Sequence, residues 1–458
     1  MTSDWRAPLL EGATRVDVPA ARRDPSRWPG YVPRTAVTVW RLGSGPVCAA
    51  WDFSVHGGSF GEDDATALVH AARLAVAEQQ PLLTLVRSGG TRLQEGMAAL
   101  VGIPRARLAL LALADAGLPH LSVADAPTTG GVWISVASAA DLRVAVEGAT
   151  VGFAGPRVVE AVTGSLPPEG SHTAASAHRA GLVDALLPGD EVPGWVGAVL
   201  TALTPGDLAP PSVAPAGEPP AEGGWAQVQR ARSRRTGGRD LLHDLLDDVV
   251  PLRARSGDAT VAACVGRAAG LPVVGLALAA EVGGRPTPDG YRLATRAVRL
   301  ATRLRLPLLS LVDTPGAEPG TEAEEDGVAP AMGEALDALL TCPSPTVALV
   351  HGEGGSGGAL AAAATDVVLV GPDAYFAAIG PEGASAALRR PAQECADLMR
   401  VTPRDLLALG AADALAEDPR AAVVALHRLV GGDADGRLAA RRARWSSPLP
   451  GLCDRIVM

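Results

Sequence analysis

The sequence predicts an α/β protein made of two copies of one domain. Three observations carry that prediction: landmarks that recur at an offset of 226 residues, short apolar runs alternating with segments of helical period, and Gly or Pro at the ends of those runs. With 458 residues, 47% hydrophobic and 20% charged, the chain can bury the cores of two large units. The 53 Gly and 38 Pro are spread out as punctuation, so they do not signal disorder.

In chain order, Asp64 to Glu78 has helical period and leads into the apolar run Pro81-Leu82-Leu83-Thr84-Leu85-Val86, read as a strand. The turn Arg87-Ser88-Gly89-Gly90 follows, entering a helix near Thr91 to Met97. A second strand, Pro119-His120-Leu121-Ser122-Val123-Ala124, turns through Asp125 to Gly131 and enters a helix at Val132-Trp133-Ile134-Ser135. The later copies are Pro307-Leu308-Leu309-Ser310-Leu311-Val312 and Pro345-Thr346-Val347-Ala348-Leu349-Val350, both at offset 226, with a helical segment from Leu293 to Leu304 before the first. Gly130-Gly131 and Gly357-Gly358 close the second strand of each copy. Asp141 and Asp366, and Gly155-Pro156 and Gly380-Pro381, match at 225. The domains are therefore read as 1–203 and 225–458, joined by an extended Pro/Ala/Gly-rich linker, 204–224. Glycine lets a ligand approach the backbone, and the free amides of a first helical turn then face the strand-to-helix turn. Such a turn in each copy predicts two sites for an oxyanion or carboxylate.

Charge and cysteine usage exclude several classes. There is no Lys; the 40 basic residues are all Arg, set against 50 Asp plus Glu for a net charge of −10, which argues against nucleic acid or an anionic membrane as partner. Cys48, Cys264, Cys342, Cys395 and Cys453 are scattered without a metal-ligand spacing, so no metal is expected. No secretory h-region and no unbroken apolar run of about 18 residues is present, which predicts a cytoplasmic protein.

Four other patterns carry competing chemistry. Asp313-Thr314-Pro315-Gly316 looks like a GTPase element, but a phosphate loop needs a lysine that this chain lacks. Gly354-Gly355-Ser356-Gly357-Gly358 satisfies G-x-S-x-G, with Asp366 and His427 as the chain-order partners of a hydrolase triad. Glu322, Glu324, Glu325 and Asp326 read as a solvated helix start or as metal ligands. His56 and His351 flank Gly-rich turns and read as structural histidines or proton shuttles.

The first half, through Gly57-Gly58-Ser59-Phe60-Gly61, Ser88-Gly89-Gly90-Thr91-Arg92-Leu93-Gln94-Glu95, Pro127-Thr128-Thr129-Gly130-Gly131-Val132 and Gly152-Phe153-Ala154-Gly155-Pro156-Arg157-Val158, resembles the β subunit of the carboxyltransferase component of bacterial acetyl-CoA carboxylase. The second half resembles its α subunit through Pro288-Asp289-Gly290-Tyr291-Arg292, Asp313-Thr314-Pro315-Gly316-Ala317-Glu318-Pro319-Gly320, Gly352-Glu353-Gly354-Gly355-Ser356-Gly357-Gly358-Ala359-Leu360 and Gly380-Pro381-Glu382-Gly383-Ala384-Ser385. The two subunits are thus apparently fused. The matched stretches span about residues 50 to 190 and 280 to 395.

The resemblance implies a tandem crotonase-like fold of stacked β-β-α turns, with acyl-CoA on the N half and carboxybiotin on the C half. It implies a homodimer or larger assembly, the two halves of a site usually coming from different protomers. Carboxyl transfer from carboxybiotin to acetyl-CoA, giving malonyl-CoA, develops two negative oxygens, and the base is the cofactor. By motif, Gly130 and Gly131 would hold the thioester enolate oxygen, and Gly357, Gly358 and Ala359 the ureido oxygen. Ser88, Gly89, Gly90 and Arg92 would shape the CoA side, with Arg87 and Arg157 for its phosphates; Gly155, Gly316, Gly355, Ser356, Gly380, Glu382 and Gly383 would complete the substrate contacts. A chain without lysine cannot itself carry biotin, so a separate biotin carboxyl carrier protein and a biotin carboxylase are the implied partners. The four-cysteine zinc ribbon common at the start of bacterial β subunits has no counterpart here. Competing expectations are a carboxyltransferase for propionyl-CoA or another acyl-CoA, a biotin-independent acyl-CoA decarboxylase or lyase, and a non-catalytic scaffold subunit.

Overall fold

The apolar runs singled out by the repeat become the central strands of two sheets. The computed structural model describes residues 5–19, 28–43, 45–234, 236–255, 258–278, 281 and 283–450. Cys453 lies outside them. The chain divides into two units, Met1–Gly197 and Ala198–Met458. In the first unit the strand order is Thr14–Val16, Val37–Arg41, Val47–Trp51, Leu82–Ser88, His120–Thr129, Leu142–Val146 and Ala185–Leu187. In the second it is Asp247–Leu252, Val261–Ala268, Leu271–Leu278, Leu308–Thr314, Thr346–Gly355, Val367–Val370 and Ala414–Leu415. The first three strands of each sheet pair antiparallel and the rest parallel.

The repeat survives in three dimensions. Helices Glu62–Glu78 and Pro288–Leu304, strands Leu82–Ser88 and Leu308–Thr314, and strands His120–Thr129 and Thr346–Gly355 are displaced by 226 residues, and helices Pro156–Thr163 and Pro381–Leu388 by 225. Matching hydrogen bonds go with matching elements. Asp141 Oδ2 accepts the His120 N–H and Asp366 Oδ2 the Thr346 N–H, each at 2.8 Å, so the aspartate landmark ties off the first amide of the neighbouring strand.

The central strands read as unbroken apolar runs because a parallel sheet covered on both faces offers no wet side. Leu82, Leu83, Leu85 and Val86 are accordingly buried in the first unit, and Leu308, Leu309, Leu311 and Val312 in the second. Helix Glu62–Glu78 turns Ala65, Leu68, Ala72 and Ala75 onto the first core. Those alanines let the helix lie close to the sheet.

Four details depart from the sequence reading. The segment after Ala124 is not a turn: strand His120–Thr129 continues, still meeting Ser88 at Thr128 but exchanging Leu142–Val146 for Val151–Gly152 on its other side. The helix expected near Thr91 begins at Met97, after a single 3-10 turn at Leu93–Glu95. Residues 205–223 form neither helix nor strand, yet they are tied along the second unit by Gly206 N to Gly270 O (2.8 Å) and Gly217 N to Glu417 Oε1 (2.9 Å). Helix Met97–Asp115 is long and apolar enough to cross a membrane by length and composition, although Arg105 and Arg107 break its apolar run. One face of it, with Ala99, Gly102, Ala106, Leu110 and Leu113, is packed into the unit.

Near the C-terminus, Arg441 is 2% exposed, with Nε and Nη2 2.8 and 2.7 Å from the two Asp366 oxygens. It also donates to the carbonyls of Leu339, Cys342 and Ser344. Arg441→Met should destabilise the protein by about 3–5 kcal/mol, because it strands a buried carboxylate. A fall in the urea midpoint at unchanged slope measures it.

Candidate active site

In the first unit the site is built where two turns meet backbone to backbone. Strand Leu82–Ser88 ends in a turn whose Gly90 has φ 109° and donates its N–H to Ser88 Oγ at 3.1 Å. Gly130, with φ 64°, starts helix Gly130–Ser135, and a Cβ there would stand 2.9 Å from Gly90 Cα. Only glycine allows this approach. The Gly130 N–H donates to Phe153 O at 3.0 Å, so it is engaged. The first-turn amides left without an intrahelical acceptor lie beyond it, at Gly131 and Val132.

In the same unit a cleft of about 900 Å³ opens at the carboxyl ends of the parallel strands, where α/β sheets take ligands; it shares Arg87 with the end of strand Leu82–Ser88, and the cradle glycines are not among its lining residues. Trp5, Arg6, Phe53, Arg87, Asp125 and Asp190 help to line it. Arg6 is paired with Asp125 at 2.9 Å. The Arg87 guanidinium donates through Nε to Ala126 O (2.7 Å) and lies over the Phe53 ring.

The second unit repeats the construction. Gly316 has φ 125° and donates to Thr314 Oγ1 at 3.2 Å, as Gly90 does to Ser88. Helix Ser356–Ala363 starts at Ser356 with φ 62°, matching Gly130. A Cβ on Gly355 would collide with the Pro315 backbone, and one on Gly358 would stand 2.7 Å from both Ala317 N and Tyr291 Oη. Tyr291 is fully buried and its hydroxyl has no hydrogen-bond partner. The cradle is thus lined by glycine backbone, with a buried polar atom behind it, and fits a small anionic oxygen seated on the amides of Gly357 and Gly358; the Ala359 N–H, expected to join them, is instead the first intrahelical donor, to the Gly355 carbonyl.

Several sequence expectations change here. By position and backbone angle, Gly130-Gly131 corresponds to Ser356-Gly357, not to Gly357-Gly358. Arg92 is completely buried: its guanidinium meets Asp64 (2.6 Å), Glu95 (3.2 Å), Arg34 O (2.9 Å) and Ser59 O, which removes it from direct contact with substrate. The triad does not form, because His427 Nε2 is 2.8 Å from Ala268 O and the Asp366 carboxylate is held by Thr346 and Arg441. Asp326 pairs with Arg292, and no group of three or more potential metal ligands occurs among the described residues. His56 Nε2 lies 3.0 Å from Val32 O, whereas His351 Nε2 is buried without a partner. Burial pushes the His351 pKa down, keeping the ring neutral. Gly155 and Gly380 are the N-caps of the paired helices Pro156–Thr163 and Pro381–Leu388. Arg157 is exposed on the first. On the second, Gly383 packs against Ile379, and the Glu382 carboxyl is held below its usual range by its hydrogen bonds to Arg232. Glu353 and Tyr291 stand inside quoted motifs but were given no role, and Arg232 was not singled out at all, since no spacing links it to the glycine run.

Comparison with known proteins agrees with this geometry. A family model described as acetyl co-enzyme A carboxylase carboxyltransferase-like matches residues 223–429. The acetyl-coenzyme A carboxylase carboxyl transferase subunits beta/alpha of Salinispora arenicola (strain CNS-205) are 39% identical over 402 residues, covering 81% of this chain and 70% of that protein. The chain belongs to the acetyl-CoA carboxylase carboxyltransferase family. A probable biotin-dependent acyl-coenzyme A carboxylase beta3 subunit of Mycobacterium tuberculosis (strain ATCC 25618 / H37Rv) is 36% identical over 378 residues, 80% of this chain and 76% of that one. Transcarboxylase 12S, solved as a hexamer with hydrolyzed methylmalonyl-coenzyme A bound, superposes with a TM-score of 0.77 at 25% identity, covering 92% of this chain and 87% of that one. The fold is the tandem crotonase-like one, and the protein is a biotin-dependent carboxyltransferase of the acyl-CoA carboxylase type.

In this carboxyltransferase Ser356 occupies a left-handed conformation that costs a non-glycine residue about 1–2 kcal/mol. Ser356→Gly should therefore raise the thermal midpoint, whereas Gly355→Ala, which drives a methyl into Pro315, should lower it. Thermal melts of the two variants beside the parent check the pair.

Proposed function

We propose that this enzyme moves a carboxyl group from carboxybiotin, presented by a separate carrier protein, to acetyl-CoA to form malonyl-CoA. The observation that carries the proposal is the pair of matching cradles, one per unit, each setting free first-turn amides against a turn without side chains. A lyase needs one such cradle and a scaffold needs neither. Acetyl-CoA as acceptor is supported by the names of the Salinispora relatives. A separate carrier is supported by the absence of any lysine in the sequence.

Carboxybiotin, when bound, supplies the carboxyl group and a basic ureido nitrogen. The Gly131 and Val132 amides would hold the thioester oxygen as it gains charge. Those of Gly357 and Gly358 would hold the ureido oxygen, with Ala359 closing the helical turn behind them. Preorganised donors of this kind are worth about 2.7–4 kcal/mol each in the transition state. Ser88, Gly89 and Gly90 shape the acyl side through the backbone, and Arg87, with Arg157, answers the CoA phosphates. We assign Arg92 a supporting part, holding the Ser59 and Glu95 segments beneath that turn.

The enzyme would work in the cytoplasm with the carrier and a biotin carboxylase, as a homodimer or larger assembly. The described cysteines are all free and buried. Leu93, Met97, Leu108, Phe153 and Val162 are large apolar side chains exposed on the first unit, a surface suited to a second copy.

Purified protein, biotinylated carrier and malonyl-CoA should release CO2 only when the carrier is present, and acetyl-CoA should outperform propionyl-CoA in the forward assay. Release without carrier would instead indicate a lyase, and no turnover with any acyl-CoA a scaffold. Gly131→Pro and Gly357→Pro each delete the amide at the second position of a helix, which has no intrahelical acceptor to lose. Each should lower kcat by about 10²–10³-fold, with the dimer retained by light scattering.

A further inference from the structure

The second unit contains an ionic strut in which Arg232, outside every motif, joins Glu353 and Glu382, each from a different one. Helix Gly224–Ser233 opens the regular structure of that unit. Its Arg232 places Nη1 and Nη2 2.7 and 3.0 Å from the two Glu382 oxygens, and Nε 3.0 Å from Glu353 Oε2. Glu353 is 2% exposed, and the same oxygen accepts the Tyr375 hydroxyl at 2.5 Å. The Glu353 N–H in turn donates to Asp313 Oδ1 at 2.7 Å. Four segments therefore meet at Glu353, the helix at Arg232, the strands ending at Thr314 and Gly355, and strand Tyr375–Ala377, and Arg232 ties a fifth, the start of helix Pro381–Leu388, to them.

The position of Glu353 gives this knot its meaning. From Gly352 to Gly358 the chain reads Gly-Glu-Gly-Gly-Ser-Gly-Gly, a run with little side chain to pack. Backbone pairing to Thr314 and to strand Tyr375–Ala377 holds Gly354 and Gly355, and Glu353, the long side chain of the run, adds a side-chain tie just before the amides of Gly357 and Gly358. The Arg232–Glu382 pair is partly exposed and by itself contributes little. The Glu353 carboxylate is buried, so taking away its guanidinium removes the cation that neutralises it there.

We infer that Arg232 is a positioning residue for the carboxyl-donor half-site: through Glu353 it fixes the glycine cradle, and through Glu382 it fixes the neighbouring helix start against it. This rests on the assignment of the second unit to the biotin side. Lysine cannot replace arginine here, because one ammonium cannot span two carboxylates that the planar fork reaches at once.

The experiment measures malonyl-CoA decarboxylation with biocytin as acceptor, varying each substrate separately, for the full-length parent, Arg232→Lys, Arg232→Ala and Glu353→Gln. Arg232→Lys and Glu353→Gln should each lower kcat/KM for biocytin at least tenfold while KM for malonyl-CoA stays within twofold, with melting midpoints close to the parent. A contribution limited to stability would shift the midpoint and leave both kinetic constants alone, and that result overturns the inference. So does kcat/KM for biocytin within twofold of the parent in Arg232→Lys. Should Arg232→Ala fail to fold, the lysine and glutamine variants decide. A rise in KM for malonyl-CoA with biocytin unaffected would overturn the assignment of the two halves instead.

Discussion

Both half-sites depend on a single constraint, the contact of two backbone turns with no side chain between them. Gly130 against Gly90 in the first unit, and Gly355 and Gly358 against Pro315 to Ala317 in the second, bring a helix start onto the end of the adjacent strand. A methyl at these positions would push the turns apart, and the first-turn amides would no longer face a shared space. The donor array we propose is therefore a property of chain geometry: of the residues that resemble a catalytic set in order along the chain, Ser356 supplies the backbone angle of a helix start, and Asp366 and His427 have separate structural partners.

Turns of bare backbone need support from elsewhere, and in this protein arginine–carboxylate knots, buried or partly buried, stand beside them. Arg92 gathers Asp64 and Glu95 beneath the first cradle, Arg232 gathers Glu353 and Glu382 beside the second, and Arg441 holds Asp366 at the strand edge. Burying such charges has a desolvation penalty that Coulomb attraction offsets only when geometry and hydrogen bonding are good. A planar fork with five donors meets that condition. In a chain with no lysine, every internal cation is of this kind.

Much of the fold was legible along the chain because duplication writes the same local signals twice. The strands at Leu82 and Leu308, the aspartates at Asp141 and Asp366, and the helices at Pro156 and Pro381 keep their offsets from sequence into structure. The equivalence of the glycine pairs was off by one residue, since Gly-Gly as a string hides that Ser356 carries the backbone angle of Gly130. Arg92 was misread for a related reason: it belongs to the right motif, but burial and not residue type decides whether a guanidinium meets solvent or a carboxylate.

Apolar periodicity, turn composition and the repeat were enough to determine two α/β units, their central strands and the places where glycine lets a helix start approach a strand end. These are local properties, set by side-chain pattern and backbone freedom within a few residues. Tertiary structure alone decided which amides remain free, which charged side chains lie inside, and that Arg232 meets Glu353 and Glu382, which lie 121 and 150 residues away along the chain. Hydrogen bonding and desolvation act through space, and no spacing along the chain encodes which partner a buried charge will find.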